Sequence, residues 1–374
     1  MRMKKILSVL LREPVAFAAG LLAVISAFFV PPDREYLGYA DLRTMGLLFS
    51  LMTVVAGLRS EGVLDQLAGA LLNRTRSARS AVLVLSGLCF FGSMLLTNDV
   101  SLLAFVPLTF AVLERMNRKK LAGICICLQT LAANLGSMLT PSGNPQNLYL
   151  YGKSGLSFLD FLRLMAPYAA ASAVLIVLSA LLFVRGGEKL TISPDTGEKK
   201  PGWRAWLHGG LFLLCLLCVA RVLPWQVAAI AVAAAALVFD RRALKQVDWM
   251  LLVTFLLFFI LTGNLSRLEA FSNLLRRALS GREVLISVLA SQVISNVPAA
   301  LLLSGFTENL SALIIGVNLG GLGTLIASMA SLISYRQIAA WDTSVRGRYF
   351  WLFTVMNVVF LLILLAFYWV LQII

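Results

Sequence analysis

Four polar clusters interrupt an otherwise apolar chain, and their residue types can hold ions or small charged solutes. The first is Thr97-Asn98-Asp99, flanked by apolar arms in 81–113. Asp99 is the acid set deep in an apolar segment, away from its ends. A carboxylate at the centre of a bilayer costs ~2.5–3.5 kcal/mol on insertion scales, so acids kept there mark ion or proton pathways. Thr97 and Asn98 supply donors and acceptors beside it. The plainer alternative is an Asp that caps freed N–H groups at a hairpin tip. The second cluster, Ser295-Asn296-Val297-Pro298 between arms in 283–304, repeats the hydroxyl and the amide but has no acid.

The third cluster, Thr140-Pro141-Ser142-Gly143-Asn144-Pro145-Gln146-Asn147, cannot continue an ideal helix. Pro141 and Pro145 remove backbone donors, and Gly143 admits unusual dihedrals. In lipid, backbone groups freed this way survive only where protein, water or ions satisfy them. Open carbonyls with the oxygens of Thr140, Ser142 and Asn144 suit Na⁺, and N–H groups at the start of the downstream helix suit an anion. A proline kink without chemistry is the competing reading. The fourth cluster, Asn318-Leu319-Gly320-Gly321-Leu322-Gly323-Thr324, breaks its helix with glycines, which also serve close helix packing.

No set of residues with the spacing of a hydrolytic triad, a metal centre or a phosphate loop stands beside these clusters, so an enzyme is not expected. His208, the one histidine, lies near Trp203 and Trp206 and reads as a residue of the membrane interface. Cys89, Cys125, Cys127, Cys215 and Cys218 fall in apolar segments and read as reduced core residues. No cofactor is expected beyond Na⁺ or H⁺ as a coupling ion.

The elements that must position these clusters are membrane helices. Of 374 residues, 59% are hydrophobic and 13% charged, with mean hydropathy +0.87. That composition makes lipid the main solvent of the chain and leaves no room for a sizeable soluble domain. The net charge of +14 would suit nucleic acid in a soluble protein. Here most Lys and Arg fall in 1–12, 59–79, 115–120, 185–204, 241–245 and 336–348, which the positive-inside rule assigns to the cytoplasm together with the N-terminus. No nucleic-acid partner is expected. Arg267, Arg276, Arg277 and Arg282 fit this path least well. Arg2, Lys4 and Lys5 precede a first apolar helix that no small-residue cleavage site follows, so it reads as retained.

Clear spans are 14–30, 44–58, 165–184, 207–220, 226–239, 249–262 and 350–371. With the interrupted segments they predict an all-α polytopic protein of about 9–11 transmembrane helices. The halves correspond. Asn134-Leu135-Gly136 with Thr140 and Leu148 matches Asn318-Leu319-Gly320 with Thr324 and Leu332 in spacing. Asp41 and Asp248 each open a helix that leads into an amphipathic stretch, Val63, Leu64, Leu67 and Leu71 in one half and Leu268, Phe271, Leu275 and Leu279 in the other. These features predict two inverted repeats, 1–184 and 205–374, joined by a cytoplasmic linker at 185–204. Each has a re-entrant hairpin (81–113, 283–304) and a broken helix (121–151, 310–334). The arms in 283–304 are too short to cross a core of ~30 Å, whereas the longer first arms lean on the analogy between halves.

At these residues the chain resembles the ion transporter superfamily of citrate-transporter-like permeases. Its members include sodium–dicarboxylate and citrate symporters, the arsenite permease and a sodium–proton antiporter branch. Thr97-Asn98-Asp99-Val100 with Pro107, the break at 140–147 and Ser291-Gln292-Val293-Ile294-Ser295-Asn296-Val297-Pro298 carry the resemblance, which covers nearly the whole chain and is similar to short bacterial inner-membrane anion permeases. The resemblance implies that Thr97, Asn98, Ser295 and Asn296, with Asn144 and Pro298, contact a small anion. It implies that Thr140, Ser142, Asn144, Gly323 and Thr324 help the tips complete cation sites. It also implies a homodimer working as an elevator, a mobile transport domain sliding against a scaffold. Where the dicarboxylate branch has Thr at the third tip position, this chain has Asp99 and Val297.

The expectation is therefore cation-coupled transport of a small carboxylate or inorganic oxyanion, with Asp99 as the coupling residue. An arsenite or antimonite exporter, a Na⁺/H⁺ antiporter and a channel or non-transporting membrane protein remain as alternatives.

Overall fold

The computed structural model describes residues 14–64, 66, 75, 77–184 and 202–373. Most of the linker at 185–204 lies outside these residues, as do the N-terminal Arg2, Lys4 and Lys5 and the amphipathic positions Leu67 and Leu71. The described chain is all-helical. Within it, five helices are long and apolar enough to cross a membrane: Leu42–Ser60, Ala78–Leu96, Phe158–Phe183, Trp249–Arg267 and Thr343–Ile373. Val15–Phe29, Trp203–Val219 and Trp225–Phe239 are apolar but shorter. The surface carries large apolar side chains that water would penalise, such as Phe28, Leu182, Trp206 and Ile230. A belt of that kind faces lipid. The chain is thus a polytopic all-α membrane protein.

The centre of the fold is the helix Ala122–Ser137. Every residue from Cys125 to Ser137 is buried, and an apolar helix without a polar face belongs inside. It is packed by Ala78–Leu96, Asn98–Arg115, Phe158–Phe183, Met329–Trp341 and Arg346–Ile373. Gly136 makes the closest of these contacts possible, because a Cβ there would collide with the backbone of Phe90.

Both polar tips are junctions between two helices. The first hairpin comprises Ala78–Leu96 and Asn98–Arg115, with Ser77 and Ser80 forming a capping box at its start. The second comprises Glu283–Ile294 and Asn296–Leu303. At 1.5 Å per residue the second pair reaches about 18 and 12 Å, well short of a bilayer core, whereas the first pair reaches about 28 Å. Pro107 inside the first hairpin leaves the Leu103 carbonyl without its helical donor. Arg59 Nη2 supplies one, at 3.2 Å.

Asp41 and Asp248 cap the helices they open, accepting from the N–H groups of Thr44 and Leu251. The five cysteines are buried and free. His208 departs from its expected interfacial position: it is buried and its Nε2 lies 3.1 Å from Asp240 Oδ2. Gly57 makes room for its ring, since any Cβ there would strike the imidazole. The two tryptophans nearby are exposed, as an interface requires, but the histidine beside them turns inward to tie three helices together.

Candidate functional site

The two tips share one backbone geometry. Thr97 has φ 88° and ψ 152°, and Ser295 has φ 72° and ψ 155°. This region is nearly exclusive to glycine and costs ~1–3 kcal/mol for other residues. Each tip is held by the same kind of bond: Asn98 N–H donates to the Gly143 carbonyl at 3.1 Å, and Asn296 N–H to the Ala327 carbonyl at 2.9 Å. Gly143 and Ala327 occupy the breaks of the two interrupted helices. The first runs Ala122–Ser137 and resumes at Pro145–Ser154. The second runs Leu310–Leu319 and resumes at Met329–Trp341.

Four helices therefore begin in one place. A gap of ≈ 10 Å³, about the size of one water, is lined by Asn98, Asp99, Pro145, Gln146, Asn296, Val297, Ser328 and Met329. Leu251 completes the lining; the others are the first residues of Asn98–Arg115, Pro145–Ser154, Asn296–Leu303 and Met329–Trp341, with Ser328 as the N-cap of the last. Each helix N-terminus is the positive end of its helix dipole, so the gap favours negative charge. Asp99 lies within it and does not act as a cap: the Asp99 N–H donates instead to Asn98 Oδ1 at 3.0 Å. Asp99 Oδ1 and Gln146 Oε1 are buried acceptors without a partner among the described residues.

The breaks are bound to one another reciprocally. Asn134 Oδ1 accepts from Asn98 Nδ2 at 3.1 Å and from Ser328 Oγ at 3.0 Å, and its Nδ2 donates to Ser331 Oγ at 3.4 Å. Asn318 Oδ1 accepts from Asn144 Nδ2 at 3.1 Å, and its Nδ2 donates to Asn147 Oδ1 at 2.6 Å. Each asparagine thus reaches the start of the other half's resumed helix. Ser328, Ser331, Asn147 and Gln292 are site residues that sequence reasoning did not single out. Asn144 and Ser328 follow their asparagines at the same spacing, as do Asn147 and Ser331. The pairing of Asn with Ser hides the match.

The candidate cation residues are placed differently from one another. Ser142, Asn144, Ser295 and Asn296 are all buried, and of these Asn296 lines the gap. Pro298 lines a separate small cavity together with Ser295, Val15, Ala16 and Asp248. Thr140 and Thr324 do not line the gap. The Thr140 hydroxyl donates to the Met94 carbonyl, joined there by Ser142 Oγ, and Thr324 Oγ1 donates to the Gln292 carbonyl at 3.3 Å. Both threonines thus fasten a break to the first arm of its hairpin. Gly320 and Gly321 sit against Ser291 and Asn296, and Gly323, at φ +102°, lies against the Gln292 carboxamide. Pro145 opens its helix, where a missing N–H costs nothing.

A cavity of ≈ 400 Å³ leads to the gap, lined among others by Arg59, Thr97, Asp99, Ser142, Gln246 and Asp248. At the far end of Pro145–Ser154 a second cavity of ≈ 250 Å³ gathers Tyr39, Asp41, Arg43, Tyr149 and Lys153. Lys153 Nζ donates there to the Ser304 carbonyl at 2.7 Å.

Comparison with known proteins places this arrangement among membrane permeases. Residues 4–312 match the family described as citrate transporter. The chain is 33% identical to the inner membrane protein YbiR of Escherichia coli over 328 residues, covering 84% of this chain and 85% of that protein. It is 32% identical to an uncharacterized transporter of Methanocaldococcus jannaschii over 356 residues, 94% of this chain and 96% of the other. A shorter stretch of 160 residues is 34% identical to the silicon efflux transporter LSI3 of rice, covering 41% of this chain and 32% of that protein.

Proposed function

The chain belongs to the citrate transporter family, and from that premise we propose that this inner-membrane transporter moves a small oxygen-rich anion by secondary active transport, coupled to a cation through Asp99. The observation that carries the reading is the convergence of four helix N-termini on one gap that also holds a carboxylate. An ionised Asp99 already answers the positive field of those termini. Neutralising it leaves the field to an incoming anion, so solute and cation favour each other's binding, and the coupling is reciprocal. A solute hydroxyl also supplies the donor that Asp99 Oδ1 and Gln146 Oε1 lack.

In this reading the two halves are inverted repeats. The hairpins and broken helices form the moving body, and Leu42–Ser60, Trp203–Val219 and Trp225–Phe239 form part of the scaffold of a homodimer. Matching bonds support it: Asn98 to Gly143 and Asn296 to Ala327, Thr140 to Met94 and Thr324 to Gln292. With the N-terminus cytoplasmic, the cavity bordered by Arg59 and Gln246 faces inward. Importing a dianion against 100 mV, negative inside, costs about 4.6 kcal/mol, so import requires cotransported cations. The test is a proteoliposome screen of citrate, short dicarboxylates and inorganic oxyanions, read as saturable, gradient-driven flux. Flux that never saturates, and that persists when the hairpins are crosslinked to the scaffold, would identify a channel instead.

A second reading has one specific support. Because Asp99 itself places a carboxylate at the four termini, an uncharged hydroxylated acid of a metalloid could bind without neutralising it. The likeness to a silicon efflux transporter points the same way. Export of silicic acid or arsenite from loaded vesicles, with no carboxylate flux, would favour this reading.

A further inference from the structure

The resemblance drawn from the sequence implies Na⁺ sites at the two helix breaks, and the residues there do not fit that ion. An Na⁺ site in a broken helix is built from backbone carbonyls whose lone pairs are turned toward a shared centre. Both breaks gather such carbonyls, and in both the centre is filled by a side-chain amide. In the first, Asn147 Nδ2 donates to the carbonyls of Ser137, Met138 and Thr140, at 3.4, 3.2 and 3.2 Å. In the second, Gln292 Nε2 donates to two carbonyls of the break, Gly320 and Leu322, at 3.0 and 2.9 Å, and to Val288 of its own helix at 3.2 Å. Gly136 and Gly320 match between the halves, so Met138 and Leu322 are equivalent positions two residues on. The amide reaches the first set from the resumed helix and the second from the hairpin arm, so two different residues fill equivalent places.

The orientation of each amide follows from its neighbours. Gln292 Oε1 accepts from the Thr324 N–H at 2.9 Å. A backbone N–H can only donate, so the oxygen must face it and the NH₂ must face the carbonyls. Asn318 Nδ2 donates to the Ile314 carbonyl at 2.8 Å, which fixes that side chain, and its second bond then turns Asn147 Oδ1 toward Asn318. The Asn147 NH₂ is left pointing at its three carbonyls. The hydroxyls of Thr140 and Ser142 donate to the Met94 carbonyl and that of Thr324 to the Gln292 carbonyl, which ties each break to its hairpin.

The geometry points to Asn147 and Gln292 as built-in cation surrogates: their NH₂ groups occupy the carbonyl clusters at both breaks and exclude Na⁺ from them. The partial positive charge of an amide NH₂ satisfies the carbonyls as a bound ion would, and it is present in every state of the cycle. The two residues are then determinants of ion specificity, and cation coupling in this chain does not pass through Na⁺ at the breaks. The inference rests on the reading of the breaks as part of the transport site, but its test does not require a known solute.

Purified full-length protein is titrated with NaCl against choline chloride at fixed ionic strength, reading melting temperature and bound ²²Na⁺. Wild type is expected to show no saturable, Na⁺-specific shift. Gln292→Glu and Asn147→Asp keep the side-chain size but place oxygen where the NH₂ stood, and each is expected to gain a saturable Na⁺-specific rise in Tm of ~2 °C or more. Gln292→Ala repeats the test with the centre simply vacated. Saturable Na⁺ binding by wild type overturns the inference and needs no variant. Indifference of wild type and of every folded variant also overturns it, because the amides would then not be what excludes the ion. If no variant folds, wild-type indifference still upholds the exclusion. A chain that moved no solute would fail every flux assay yet leave this titration unchanged, so failure of the transport reading and failure of this inference are distinguishable.

Discussion

Asn318→Leu removes one side of the reciprocal network without opening a cavity, because two methyls are bulkier than the amide they replace, so the polar loss is a floor on its cost. Asn318 is 3% exposed. Its amide donates to Asn147 Oδ1 at 2.6 Å and accepts from Asn144 Nδ2 at 3.1 Å. With leucine there, Asn147 Oδ1 becomes a buried acceptor with no other bond, at ~1–3 kcal/mol. Asn144 Nδ2 keeps its bond to Ser137 Oγ at 3.2 Å, which limits its share to ~1 kcal/mol. The expected loss is about 2–4 kcal/mol. Asn134→Leu should cost less, about 1–2 kcal/mol, because the Ser328 hydroxyl can rotate to another acceptor, Ser331 Oγ loses only a long 3.4 Å bond, and chiefly Asn98 Nδ2 is stranded. Interhelical hydrogen bonds in membranes average ~0.6 kcal/mol in double-mutant cycles, so values well above that require buried groups with nowhere else to turn. Reversible unfolding in bicelles, with the Asn318→Leu/Asn147→Leu pair as a coupling cycle, reads both numbers. A loss below ~0.5 kcal/mol for Asn318→Leu, or an equal loss for Asn134→Leu, would refute the argument.

Ser295→Gly releases the positive φ at the second tip and should stabilise the protein by ~1 kcal/mol, less the weak bond from Ser295 Oγ to the Ala327 carbonyl at 3.3 Å. Thermal unfolding checks the sign. Gly136→Ala forces a methyl into the Phe90 backbone, and overpacking where no side chain can yield costs ~3 kcal/mol or more; gel filtration should show loss of the monodisperse protein. His208→Leu strands Asp240 Oδ2 in a buried site, and the expected loss is ~1–3 kcal/mol in the same unfolding assay.

Much of the frame was legible from residue type and spacing. Proline and glycine in a lipid-soluble chain locate the breaks, because a helix that loses its donors there must be rebuilt locally. The Thr-Asn and Ser-Asn tips between apolar arms are readable for the same reason. The cross-links between breaks were not, since Asn144 and Asn147 in one half face the roles of Ser328 and Ser331 in the other, and unlike residues conceal a common geometry. His208 pairs with Asp240, 32 residues away, so no local pattern could show it turned inward. Gln292 and Asn147 stand inside motifs read for their shape, and the direction of an amide cannot be read from sequence at all.

The central claim is that Asp99 couples a cation to solute movement in the field of four helix N-termini. Wild type and Asp99→Asn should be reconstituted into vesicles containing a pH dye and challenged with each solute that the wild type transports. Wild type is predicted to show solute-driven proton movement. Asp99→Asn keeps the shape of the tip and is predicted to exchange solute without moving protons. If Asp99→Asn keeps full uptake with undiminished proton movement and pH dependence, the account is wrong.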